Sequence, residues 1–457
     1  MGIPTYPSKR FFKAGAKRCT GNWGVAEELG AGDGILITDD GGLALKQTYD
    51  PYPAIDQVVL MDGDMGPSEA SDFNPPFTLS YNPGRMGSII AAVFGLAGVP
   101  EGLYVIAAGV NDDIDVTEDV TKKVATVPPG IYTGTELAAA IEAALELAGE
   151  FTYTCTYAAS TNTFTIGVSA SSTFLWITGD NHETSIALTC GYTADEAPGT
   201  GPFISDQAGA GTAKKHVFRW ADAVEKFFTF AETKPGTIWE VPSAMPYKLN
   251  LKLGDGKVQG VISLRGNTLL DDSDPAIVNT ETEMALVDYV ERGKRVQFQN
   301  GYFWMNEEDD GVLSGTDAII PSDMDITWER LPDAQQVAGG TFIALPIEGP
   351  APKFAVKITI PRASAGNIDL AAFKAMIAQK MEFGFTSPAL AVAGIHYSWK
   401  FFFPRLKYIE PPASAYEDVM KAVLTFVGEE SAAAPDGMDD TRPYAELVNL
   451  IGTDYLA

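Results

Sequence analysis

The chain reads as a mainly β (α+β) protein in which a β-rich body is interrupted by a small α+β module. Three observations predict this. Short apolar runs bounded by Gly, Pro and Asp recur along most of the 457 residues, and 45 Gly with 29 Pro supply the turns. Several runs alternate apolar with polar residues, the spacing of a strand with one buried face. One stretch, Asn111 to Asp206, instead carries a capped amphipathic helix beside two alternating runs, enough to bury a core of its own. The expected division is a first half of the body over 1–106, the module over 107–206 and a second half over 207–457, with room for an outer elaboration at 266–325.

In chain order, Gly34 to Thr38, Val58 to Met61 and Phe77 to Tyr81 read as strands. Gly84 to Ser88 leads into Ile89 to Gly95, whose unbroken apolar run fits a short helix or a buried strand. The module opens on an acidic strand, Asp112 to Val116, and loops at Pro128-Pro129-Gly130. A helix follows over Thr133 to Ala148. Thr133 and Glu136 stand at the spacing of a capping box, and Leu137, Ile141, Ala144, Leu145 and Ala148 share one face. Period two then takes over: Phe151, Tyr153, Cys155 and Tyr157, a turn through Ser160-Thr161-Asn162, and Phe164, Ile166 and Val168. A last apolar run spans Phe174 to Ile177.

A Gly/Ala linker, Gln207 to Ala213, returns to the body. Phe228 to Phe230 and the Leu249, Leu251, Leu253 alternation are strands, the second with one wet face, and Gly254-Asp255-Gly256 turns it into Val258 to Arg265. Phe298, Phe303 with Met305, and Ile326 with Trp328 mark further strands. Phe354, Val356, Ile358 and Ile360 alternate strictly. Tyr397 to Phe403 and Val423 to Val427 complete the strands. Two helices are expected, Thr282 to Arg292 and Leu370 to Lys380, the latter with Phe373, Met376 and Ile377 buried. Glu429 to Thr441, rich in Ala, Pro and Asp, reads as a loop or arm.

Charge excludes more functions than it suggests. With 32 bases against 60 acids the net is −28, a field that repels polyanions and anionic membranes. Residues 1–18 run the other way: Lys9, Arg10, Lys13, Lys17 and Arg18 stand there with no acid, a basic arm suited to docking on an acidic neighbour or simply a frayed terminus. Cys19, Cys155 and Cys190 are odd in number and lack CxxC spacing, against a disulfide framework or zinc site. No signal-peptide core or membrane-length apolar stretch occurs, so a soluble product of the cytoplasm is expected.

Reaction chemistry is hard to find. His182, His216 and His396 have no other ligand type at metal spacing. Gly30-Ala31-Gly32-Asp33-Gly34 fails the dinucleotide spacing, and Gly209 to Lys214 has Ala213 where a phosphate loop needs glycine. Asp62-Gly63-Asp64, Asp271 to Asp274 and Glu307 to Asp310 are acid clusters without calcium-loop spacing. Asp323 and Asp325 share a strand face and could serve a hydrolase as paired acids, but many solvated pairs do the same. Tyr302-Phe303-Trp304 and Trp399 to Phe403 could grip glycans, although aromatics at strand spacing usually belong to a core. No catalytic, cofactor-binding or metal residue is assigned, no cofactor is expected, and the profile favours a structural or binding protein over an enzyme.

The residues also resemble a family, the tail tube (major tail) proteins of long-tailed bacteriophages. One segment carrying the likeness is Asn74 to Arg85 with the Gly87 to Gly95 run. The other is Phe228-Thr229-Phe230, Trp239-Glu240-Val241-Pro242 and the Leu249/Leu251/Leu253 strand. The module is similar to one seen in phage structural proteins. The resemblance implies a two-sheet β sandwich or barrel with a flanking helix, six copies joining inner sheets into a ring, and rings stacking into a hollow conduit for genome delivery. Its partners would be itself, other tail proteins at the tube ends and passing DNA, without a membrane anchor, and its place the virion tail. A carboxylate-lined lumen would repel DNA, and the module, with 14 acids to 2 bases, would decorate the outside. The chain is long for a simple tube protein, which leaves a tail completion or baseplate ring protein as the alternative.

Overall fold

The computed structural model describes residues 14–20, 24–35, 72–221, 226–234, 237–254, 256–287, 295–330, 352–361, 370–410, 413–417 and 419–456. The expected strand at Val58 to Met61, most of that at Gly34 to Thr38, and Asp62-Gly63-Asp64 lie outside them, as do Lys9, Arg10 and Lys13.

The body begins with β1 (Ala14–Arg18), β2 (Asp72–Phe73) and β3 (Pro76–Thr78). The apolar run after Gly84 is helical: α1 (Arg85–Phe94) buries every residue from Met86 to Phe94, which is why its sequence shows no wet face. Strands β4 (Gly95–Ala97) and β5 (Glu101–Ile106) lead to the module. There β6 (Asp113–Glu118), β7 (Thr121–Thr126) and β8 (Gly130–Thr133) precede α2 (Gly134–Ala148). The capping box forms in both directions, Glu136 N donating to Thr133 Oγ1 (3.2 Å) and Thr133 N to Glu136 Oε2 (2.7 Å). The expected hairpin is β9 (Tyr153–Ala158) and β10 (Thr163–Val168). Strand β11 (Ser172–Phe174), a one-turn α3 (Ala187–Cys190) and β12 (Phe203–Ile204) close the region.

The body resumes with β13 (Ala213–Trp220), β14 (Phe228–Lys234), the long β15 (Thr237–Leu253) and β16 (Gln259–Gly266). Then come β17 (Leu270–Asp271), α4 (Glu281–Leu286), β18 (Gly301–Glu307), β19 (Asp323–Glu329) and β20 (Lys353–Ile360). After α5 (Leu370–Ala375) follow β21 (Gln379–Val392), β22 (Ile395–Tyr408), β23 (Ala413–Glu417), β24 (Val419–Glu429) and β25 (Tyr444–Asn449).

Four expectations need correction. Helix α5 stops at Ala375: Met376 takes a left-handed φ of 56° and is 63% exposed, and Gln379 and Lys380 already belong to β21. The long alternating run of β21 was masked by the helix-like spacing just before it. Helix α4 ends at Leu286 with Val287 extended, short of Arg292. Phe298 lies in a 3₁₀ turn, not a strand. The last five residues of the basic arm are no loose end, since β1 pairs along its length with β14.

Pairing links the body strands into two runs. One runs β3–β16–β15–β19–β20–β24. The other runs β18–β21–β22–β25–β13 and ends on β4 and β5. The C-terminal part of β22 bonds to β24 and joins them. Both runs feed one hydrophobic cluster: Phe77, Leu249, Ile262, Trp328, Ile358 and Phe426 from the first meet Phe218, Phe383, Trp399, Phe401 and Leu447 from the second, with α1 touching β15 and β13. A separate cluster, drawn from Tyr104 to Phe203, holds the module's two three-stranded sheets (β11–β6–β7 and β12–β10–β9) against α2.

Candidate assembly surfaces

The residues weighed for chemistry turn out to hold structure. His182 bonds Gly179 O through Nδ1 (3.0 Å), and His396 bonds Ser387 O (2.8 Å). His216 is fully buried, its Nε2 shared between Asn449 Oδ1 (3.1 Å) and Ile451 O (3.0 Å), with Tyr455 4.7 Å away ring to ring. Burial pushes its pKa down to about 4, so it packs as a neutral ring and ties the C-terminal segment to β13. The same segment seats Tyr455 on α1, where a Cβ at Gly87 would fall 2.4 Å from its ring. The three cysteines are free and buried; burial raises all three thiols, Cys155 to about 12, which leaves them inert.

Acid clusters serve turns and backbone. Asp271 accepts from Ser273 N (2.9 Å) and Asp274 from Ala276 N (2.9 Å), while Gly30 N donates to Asp33, which also pairs with Arg85 at 2.5 Å. In the module, Asp115 accepts from Asn181 N and Nδ2 (both 2.7 Å), and Glu118 from Glu150 N, Phe151 N and the Tyr153 hydroxyl (2.7 Å). Burial of Glu118 works to raise its pKa, but these bonds outweigh it and hold the carboxyl below its usual range. Glu240, fully buried, accepts from Asn279 N (2.8 Å) and Nδ2 (2.6 Å); burial raises its pKa against those bonds. Among the described residues, no three His, Cys, Asp or Glu side chains gather as a metal-holding group.

One polar device was invisible in sequence. Arg330 is 1% exposed and lies 3.8 Å over the Trp220 ring. Its Nε donates to Val93 O (2.7 Å) and its Nη2 to Phe94 O (2.6 Å) and to Ala221 O. It thus satisfies the carbonyls left open at the C-terminus of α1, where a cation is also favoured by the helix dipole. The turn beside it demands glycine: Gly95 has φ 92°, and a Cβ there would meet Ala221 O at 2.3 Å.

The aromatics proposed for glycans are mostly internal. Trp399, Phe401 and Phe403 are core residues, while Phe402 packs with Tyr444 under Leu313 and Met438, two loop residues. These loops cover the outward face of the second run, where Tyr302 donates to Glu382 (2.5 Å) and Lys215 pairs with Glu446 (2.7 Å). Beside them, Glu307 to Asp310 line a cleft of about 630 Å³ with Ala432 to Asp436, in which Arg405 binds Glu308 (2.6 Å).

The outward face of the first run is different. Registry places Lys252, Asp325 and Lys357 side by side across β15, β19 and β20, and Lys248, Glu329 and Lys353 in a parallel row. The latter continues through Glu429 to Arg405. Lys248 pairs with Glu329 (3.6 Å), Lys407 with Glu429 (2.7 Å), and Asn250 donates to Asp325 (2.5 Å). Asp323 and Asp325 therefore belong to cross-strand ladders. Arg265 and Lys421 add to the same face. All these charged side chains are exposed or half-buried. No protein-family model matches the chain, and no curated protein matches it in sequence.

Proposed function

We propose that the chain is a structural virion subunit, the tail tube protein of a long-tailed bacteriophage, which self-assembles into stacked rings, six chains to a ring, around a conduit for the genome. One observation carries the reading. The two segments that bear the resemblance lie far apart in sequence yet flank one strand of the sheet: Pro76 to Thr78 pairs with Gln259 to Val261 of β16, and β16 pairs in turn with Leu249 and Leu251. Two runs of strands around a shared core, with α1 against it, are what a two-sheet sandwich with a flanking helix requires. A body with so many strands has edges that must be paired or covered, and ring closure does both without another partner. Asp115, Glu118 and Glu240 accept from backbone N–H groups, duties that fit a structural role.

In the assembled tail the module decorates the outside, where its acid surplus keeps tubes from bundling. The partners are copies of the same chain, other tail proteins at the tube ends, and DNA in passage; no described helix is long and apolar enough to cross a membrane. Negative-stain electron microscopy of the full chain at rising concentration tests this. Rings or hollow tubes are expected. Uniform particles without a channel at every concentration would remove self-assembly as the function.

A further inference from the structure

The hairpin turn of the module meets the body at one half-buried polar site. Asn162, in the turn between β9 and β10 with a left-handed φ of 60°, sends its side chain across to β5 and β13. Its Nδ2 donates to Gly209 O (2.7 Å), which fixes the orientation of the amide. Its Oδ1 then accepts from three donors: the Tyr104 hydroxyl (2.8 Å), the Tyr157 hydroxyl and Lys214 Nζ (3.5 Å). An amide oxygen has two lone pairs, whereas three converging donors suit the oxyanion that forms when an amide is attacked. Tyr157 is aimed at this role, because its oxygen accepts from Gly102 N (3.2 Å) and its proton is left for Asn162. Glycines make the close approach possible. A Cβ at Gly102 would fall 2.7 Å from Asn162 Oδ1, and one at Gly209 would fall 2.8 Å from the Tyr104 hydroxyl.

Lys214 stands out in a chain with 60 acids to 32 bases. It is half-buried, and among the described residues no carboxylate pairs with it, while Lys215 beside it pairs with Glu446 (2.7 Å). Burial lowers the Lys214 pKa, which enlarges the share of free amine, the nucleophilic form. Burial also raises the pKa of both tyrosines, so their hydroxyls stay protonated and remain donors.

We propose that Lys214 and Asn162 form an intramolecular isopeptide bond that staples the module's hairpin to β13 of the body. The neutral Lys214 Nζ attacks Asn162 Cγ; the Nζ–Cγ bond forms and the carbonyl electron pair moves onto Oδ1, where the two hydroxyls hold it. A proton passes from Nζ to Nδ2, directly or through a tyrosine hydroxyl. The pair on Oδ1 then returns, the Cγ–Nδ2 bond breaks and ammonia leaves. Amine and primary amide become a secondary amide and ammonia, so no oxidant, cofactor or second substrate is consumed. The bond joins residues 52 positions apart and fixes the module to the body, whether or not the chain forms tubes.

Mass spectrometry of the full chain, held folded at neutral pH until its mass is constant, tests this. The intact mass should lie one ammonia below that of the sequence, counted with or without Met1. A digest should contain a branched peptide that joins the Asn162 and Lys214 segments. Lys214→Arg keeps the charge and should restore the sequence mass and two separate peptides. Cyclisation of an asparagine onto its own backbone also expels ammonia. A loss that persists in Lys214→Arg, or that comes without a branched peptide, therefore overturns the proposal. The full sequence mass in the unsubstituted chain overturns it too, and leaves the site a hydrogen-bonded clamp. Tyr157→Phe spares both reactants and should slow bond formation by about tenfold or more. An unchanged rate would overturn the role given to that hydroxyl.

Discussion

The module and the body reach a packed core by different routes. In the module, several partners are close along the chain, beside longer links such as Asp115 to Asn181. Glu142 accepts from Cys155 N (2.7 Å), β9 and β10 share one short turn, and Trp176 stacks on Tyr192 at 4.5 Å. The body is closed by contacts between distant segments. Arg330 serves carbonyls of α1, β1 pairs with β14, and Asn449 Nδ2 reaches Tyr81 O (3.3 Å). Helix and hairpin signals are local, so they specify the module well. The body depends on non-local pairing, whose entropic cost is met only when several segments arrive together.

This contrast can be tested from its strongest point downward. Arg330→Met takes the side-chain donor from Val93 O and Ala221 O, and one of two donors from Phe94 O, which also accepts from Ala221 N, and should destabilise the body by about 3 kcal/mol. Calorimetry should then show a lowered body transition with the module's melting unchanged; a common shift would mean that the two clusters melt as one. Leu145→Ala, at a fully buried position of α2, is the converse case. A loss of about 3 kcal/mol is expected, confined to the module.

His216 sharpens the comparison through pH. Its folded pKa, about 4, is below the ordinary 6.5, so the unfolded chain binds the proton first. Stability tied to it is intact above the ordinary value and is lost as pH falls toward 4, amounting to about 2 kcal/mol by roughly pH 5. His216→Gln should flatten that window in a titration of the body's melting temperature, and an unchanged slope would assign the acid sensitivity elsewhere. Smallest is Thr133→Ala, which removes one arm of the capping box and should cost the module about 1 kcal/mol.

Much of the fold was legible because period and turn chemistry are written in neighbouring residues. The strand Phe354 to Ile360, the Leu249/Leu251/Leu253 alternation and the capped helix all appear where their spacing puts them. The misreading at Leu370 to Lys380 shows the limit. Phe373 and Ile377 have helical spacing and do pack on the core, but Met376 turns left-handed and the chain enters a 14-residue strand at Gln379. A few apolar residues fit either period, and strand partners elsewhere decide between them.

The candidate surface was less legible still. Lys248, Lys252, Lys353 and Lys357 are ordinary wet positions in sequence, and only the registry of β15, β19 and β20 sets them in rows with Asp325 and Glu329. By itself the sequence determined the β-rich class, the self-contained helix and hairpin of the module, and the acid surplus, since each is a property of composition or of residues a turn apart. Tertiary structure alone decided that Arg330 closes α1, that His216 anchors the C-terminal segment, and that lysines and acids of β15, β19 and β20 alternate across one sheet face. Those depend on which strands lie side by side, and pairing is chosen by burial over the whole core and not by any local stretch of chain.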